Sequence, residues 1–152
     1  MLIAAAQAHD AGKARDLWQR AMGAPRDGKI YAKTVGGGIP ALLIGYRHEF
    51  GSLRDTQTAN CLRDLPEEAR ELGLHLIASH HGFARPVIAA IDPEAPPSTC
   101  AELAQEAALR FAELQAQWGS WGLAWWEALL RAADWAASRK LNEQATVAQE
   151  DS

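Results

Sequence analysis

Residues 99–119 read TCAELAQEAALRFAELQAQWG, and residues 120–140 read SWGLAWWEALLRAADWAASRK. In the second stretch Leu123, Trp126, Leu130 and Ala133 recur at helical spacing. Thr99 followed by Glu102 makes a capping-box pattern, which predicts a helix ending near Gly119. Ser120 then caps a last long helix that closes near Lys140. Both stretches are built on alanine, which supplies 31 of the 152 residues, whereas valine and isoleucine together supply ten. Alanine favours helix, and so few β-branched residues argue against a large sheet. The fold class expected is all-α, with one domain over residues 1–140 and a polar, frayed tail over 141–152.

Working back toward the N-terminus, Pro66 followed by Glu67 and Glu68 marks a helix start. That helix should run to His81 and stop at Gly82. Four prolines make residues 83–98 an irregular connection. A helix is expected from Arg47 to Leu62, and residues 24–40, with Pro25, Gly36, Gly37 and Gly38, read as a loop. Residues 13–22 form a short helix closed by Gly23. Residues 2–10 read as an apolar helix that no Ser, Thr, Asp or Asn caps.

The net charge is −4, which excludes a generally basic nucleic-acid coat. Residues 11–65 nevertheless hold nine Lys or Arg against five Asp or Glu, so one face can meet an anionic ligand. No apolar run approaches the ~18 residues of a membrane span, and the apolar opening lacks the basic flank of a signal peptide. Cys61 and Cys100 form no metal-spaced pair, which reads as a reduced, cytoplasmic compartment. No phosphate-binding G-x-x-x-x-G-K-[ST] string occurs, so the chain has no ATP hydrolysis through that motif.

The chemistry lies in the histidines. His9 precedes Asp10, His48 precedes Glu49, and His80 adjoins His81. Asp134 interrupts an apolar helical stretch, where a carboxylate is costly to bury without a partner. These four elements on separate helices can converge on one polar pocket. Imidazole with carboxylate suits manganese, iron, nickel, cobalt or zinc, and two such ions can flank a water and a scissile phosphate. His75 lies five residues before His80, on another face of the same helix, and reads as a core histidine rather than a ligand.

His9-Asp10-Ala11-Gly12-Lys13 resembles the HD-x-G-K motif of the HD phosphohydrolase superfamily. Arg47-His48-Glu49-Phe50-Gly51-Ser52, then His80-His81-Gly82, then Arg131-Ala-Ala-Asp134 resemble the R-H-E-x-x-S, H-H-G and closing Asp motifs of one branch, in that order. That branch is the CRISPR-associated HD nuclease, the nuclease half of the type I helicase–nuclease. The tryptophan-rich segment from Trp118 to Trp126 is similar to the subtype whose HD domain follows the helicase.

The resemblance implies an HD-domain helical bundle and a metal-dependent DNA nuclease. It would cut single-stranded DNA exposed by a CRISPR surveillance complex and work beside a helicase portion or partner. His9, Asp10, His48, His80, His81 and Asp134 match the metal ligands. Asp10 would bridge, His9 and Asp134 would serve one ion, and His48, His80 and His81 the other. Asp10 and Lys13 would be the catalytic pair, and Lys13, Arg47 and Arg85 would face DNA phosphate. The family carries a further histidine on a helix upstream of its His-Asp pair. Residues 1–8 hold no histidine, so the resemblance implies an N-terminally truncated bundle, a first metal site short of one ligand, and weak cleavage. Two other functions fit the same residues. One is an HD phosphohydrolase acting on small nucleotides. The other is an inactive remnant serving as an interaction module, with the six tryptophans as its docking surface.

Overall fold

Five α-helices carry the fold in the computed structural model, which describes residues 1–150. They are α1 (Leu2–Ala8), α2 (Asp16–Met22), α3 (His48–Thr58), α4 (Glu67–Ser79) and α5 (Pro97–Glu150). Two short 3-10 turns, Ala11–Ala14 and Pro40–Leu43, complete the set. Among the described residues there is no strand, so the architecture is all-α. No helix among them is long and apolar enough to cross a membrane.

The core lies where α3, α4 and α5 meet, with α1 against α4 and α5. Phe50 and Leu53 of α3, Leu76 and Ile77 of α4, and Leu130 of α5 are fully buried. Each such side chain contributes about 1.5–3 kcal/mol through lost apolar surface. α5 is a helix in two limbs. Gly119 takes φ 68° and ψ 166°, outside the helical region and open in practice to glycine alone, and it parts residues 97–118 from residues 120–150. The expected break at Gly119 is therefore present. The second limb faces inward through Leu123, Glu127 and Leu130, a stripe at helical spacing.

The remaining differences from the sequence reading are local. α5 starts at Pro97, so Thr99 sits inside the first turn rather than ahead of it, and the capping box is not the start. The last limb continues past Lys140 to Glu150, while Asp151 and Ser152 of the expected tail lie outside the described residues. α3 ends at Thr58, because Asn60 adopts a left-handed conformation (φ 51°). The helix expected over residues 13–22 is divided by Arg15, whose backbone is extended at ψ 148°. Arg15 is pulled out of helical geometry toward two other elements. Its guanidinium meets Asp55 of α3 at 2.5 and 2.8 Å and Asp92 of the 83–96 connection at 2.6 Å.

Gly12 sits where α3 passes closest. Its N–H donates to Ser52 Oγ at 2.8 Å, and its carbonyl accepts from the Tyr46 hydroxyl at 3.0 Å. A Cβ at this position would meet the His48 carbonyl oxygen and lie 2.8 Å from Ser52 N. Gly12→Ala is expected to cost about 1–3 kcal/mol as the 3-10 turn is forced off α3. A lowered thermal midpoint checks this; an unchanged midpoint would show that the turn can move freely.

Candidate metal centre

Four backbone segments meet at one point, three of them at a helix end. α1 closes on His9, whose backbone N–H still bonds Ala5 O, and Asp10 turns the chain at φ −104°, ψ 8°. α3 opens on His48. α4 closes on His80, with His81 next and Gly82 at φ 90° reversing the chain. The second limb of α5 supplies Asp134. Three helix ends and the mid-limb Asp134 place polar side chains at a common spot while apolar residues on the same helices build the core.

Asp10 is central. Its Oδ1 lies 3.3 Å from His48 Nε2 and 3.9 Å from His80 Nε2, and its Oδ2 lies 3.6 Å from His9 Nε2. His9 Nε2 is 3.4 Å from Asp134 Oδ1, and the two Nε2 atoms of His48 and His80 are 3.3 Å apart. The His81 ring lies 4.2 Å from that of His80 and 5.0 Å from that of His48, centroid to centroid. Thus His9, Asp10, His48, His80, His81 and Asp134 are brought together. Two trios have ligand atoms within 4.8 Å of one another: His48 with His80 and His81, and His9 with Asp10 and His80.

The outer hydrogen bonds set the tautomers. His9 Nδ1 contacts the Ala6 carbonyl at 2.7 Å, and His80 Nδ1 the Ile77 carbonyl at 2.7 Å. A carbonyl only accepts, so both Nδ1 atoms donate and, in the neutral rings, both Nε2 atoms turn a lone pair inward. His48 Nδ1 faces Glu49 Oε2 at 3.4 Å in the same sense. A ring held by its far nitrogen is the arrangement that orients metal-ligating histidines. His9 Nε2 and Asp10 Oδ1 are buried and have no hydrogen-bond partner. Buried polar atoms are rarely left so, and a divalent cation would satisfy both. The donor set therefore fits transition-metal ions, with imidazole and carboxylate and without thiolate.

Electrostatics favour the same state. Burial pushes the Asp10 carboxyl up, but the close approach of His48, the hydrogen bond from Lys13 and the charges of His9 and Lys13 outweigh it and hold it well below the usual carboxylate range. Burial pushes His80 down to about 3, against a partly offsetting bond to Ile77 O. Burial lowers His81 as well. The carboxylate is ionised and these two imidazoles are neutral at ordinary pH, which is what cation binding requires.

The residues expected on DNA separate into three cases. Lys13 reaches the centre itself, its Nζ 2.8 Å from Asp10 Oδ2 and 5.8 Å from the centroid of the Trp18 ring. Arg47 stands at the rim, stacked over Phe83 at 3.4 Å and 3.5 Å from Glu49 Oε1. Arg85 lies farther along the chain, its guanidinium paired with the buried Glu127 carboxylate and its side chain a third exposed. His75 is buried and hydrogen-bonded to Glu127 at 2.8 Å, outside the centre as its helix face predicts.

Sequence reading left three supporting residues without a role. Glu49 orients His48, Ser52 ties the Gly12 turn to α3, and Trp18 packs edge-on against His48 at 5.2 Å. Glu49 and Ser52 are the lettered positions of the R-H-E-x-x-S string, which signals them. Nothing in the sequence around Trp18 signals its place. No family model, curated protein or solved structure matches this chain.

Proposed function

We propose that this chain is a metal-dependent phosphodiester hydrolase of the HD nuclease kind, cutting single-stranded DNA in cytoplasmic CRISPR defence beside a helicase portion or partner. The observation that carries the reading is the pair of buried ligand atoms without partners, His9 Nε2 and Asp10 Oδ1, inside a cluster of four histidines and two carboxylates. The order and content of the four motifs support the nucleic-acid branch. Bound there, divalent ions would act as Lewis acids and lower the pKa of a bound water toward neutrality.

The chain's own residues supply the rest. His48, His80 and His81 would hold one ion, His9 and Asp134 the other, and Asp10 would bridge the two. Lys13, at Asp10 and on the face of Trp18, would neutralise charge on a phosphate drawn to the centre. Arg47 at the rim can meet a neighbouring phosphate.

Calorimetry with manganese, followed by incubation with a labelled single-stranded oligonucleotide and separately with free nucleotides, tests the reading. Binding of manganese with cutting of the oligonucleotide is expected. No manganese binding would overturn it, and hydrolysis of free nucleotides alone would favour a small-nucleotide phosphohydrolase.

The track leading substrate in is expected along residues 24–39. This loop is tied to α2 by Trp18 Nε1 and Gln19 Nε2, which donate to Tyr31 O at 3.2 and 3.0 Å, and it exposes Arg26, Lys29 and Lys33. Because Trp18 also touches His48, the loop lies one side chain from the centre. Each cation that contacts phosphate should contribute about 0.7 to the salt slope of single-strand binding. Lys29→Ala with Lys33→Ala should weaken binding and flatten that slope; an unchanged slope would remove the loop from the track.

A further inference from the structure

Outside the metal centre, Glu127 is a buried carboxylate on the second limb of α5. Its carboxylate is 2% exposed, accepts a hydrogen bond from or shares a proton with His75 Nε2 at 2.8 Å through Oε1, and pairs with Arg85 through Oε2. Its neighbours along the inward stripe of the second limb are apolar: Leu123 one turn before and Leu130 one turn after, both buried. One polar residue in an apolar helical seam costs stability but fixes register, because any slip sets a leucine against the polar partners and buries the carboxylate alone.

The three partners tie together what the metal centre needs aligned. His75 belongs to α4, five residues before His80. Arg85 follows the turn at His81 and Gly82. Glu127 precedes Asp134 by two helical turns on the same face. Gly119 parts this limb from the one before it, so the first limb does not dictate the rotation of the second.

We propose that Glu127 is a positioning residue: by pairing with His75 and Arg85 it pins the register of the second limb and so delivers Asp134 to His9. The proposal rests on the metal-hydrolase reading for its purpose; the register is a property of the fold and is measured without metal.

The test labels Ile3→Cys on α1 and Trp135→Cys on the second limb with nitroxides, in a Cys61→Ser background. Both chosen sites are exposed, at 77% and 66%, and Cys100 is buried. Electron–electron distance measurement should give one narrow distribution for the parent. In Glu127→Leu with His75→Leu the polar seam becomes apolar, Arg85 can turn to solvent, and the helical content should be retained. Its distance distribution should broaden or shift, and its manganese affinity should fall about 10–100-fold, the range seen when outer partners of metal ligands are lost. Glu127→Gln, which keeps the shape and a bond to His75, should restore both toward the parent. An unchanged distribution in the double leucine variant would overturn the proposal. So would its unfolding, because the cluster would then act through stability rather than register. A parent that binds no manganese would sink the metal reading and leave the distance result to decide the register.

Discussion

Asp10→Asn should erase manganese binding and, with it, any phosphodiester cleavage. Asp10 is the carboxylate within 4 Å of three imidazoles, those of His9, His48 and His80. An amide keeps the shape but loses the charge, and it leaves the Lys13 ammonium facing the histidines without its counter-ion. Loss of an outer-shell partner costs about 10–100-fold in metal affinity or activity; loss of the shared ligand should exceed that range. Circular dichroism should remain that of the parent, since Asp10 lies in a turn and its side chain is a third exposed. Manganese heat retained in this variant would show that the ions, if bound, do not share Asp10.

Asp92→Asn should produce the largest loss of stability, about 3–5 kcal/mol, the cost of removing one partner from a buried ion pair. The Asp92 side chain is fully buried in the otherwise irregular 83–96 connection, and Oδ2 accepts from Arg15 at 2.6 Å and Arg54 at 3.1 Å. Oδ1 accepts the Glu94 backbone N–H at 2.9 Å. Burial raises its pKa, but the hydrogen bonds from Arg15, Glu94 and Arg54 and the charge of Arg15 prevail and set it below the ordinary 3.8. A carboxyl with a depressed folded pKa contributes stability that is fully present above its unfolded value and is lost as pH falls through the folded one. Urea midpoints of parent and variant should therefore differ most above about pH 4 and draw together in stronger acid. A constant gap across that range would mean that the charge of Asp92 contributes little.

The helices and the candidate site were legible to different degrees, for different reasons. The two long alanine-rich stretches, the Pro66 start, the Gly119 break and the Gly23 left-handed cap (φ 70°) could be read because each is fixed by residues within a few positions. Boundaries set by distant contacts could not. Arg15 breaks a local helical pattern because Asp55 and Asp92 hold its guanidinium, and neither partner is visible from its neighbours in sequence. The same holds at the site. His9, Asp10, His48, His80, His81 and Asp134 announced themselves by chemical type on apolar helices, and the structure gathers them. Arg85 was read by charge and chain position, yet it answers to Glu127, which sits more than forty residues later in an alanine- and tryptophan-rich run. An ion pair across that separation leaves no periodic trace.

The position of Asp134 bears on how the protein comes into being. Nearly the whole chain separates it from His9, and it rides on the last limb, beyond the break at Gly119. A ribosome delivers residues in order, and N-terminal parts collapse first. His9 and Asp10 therefore wait through most of synthesis for the carboxylate that completes their side of the cluster. Until the limb bearing Asp134 docks, an ion beside His9 and Asp10 would lack that carboxylate. Capture of an ion there would be coupled to docking of this limb, and mass action would then favour the docked state by RT ln(1 + [metal]/Kd). On the metal-hydrolase reading, the His9 side of the centre would gain its second carboxylate only when this limb docks.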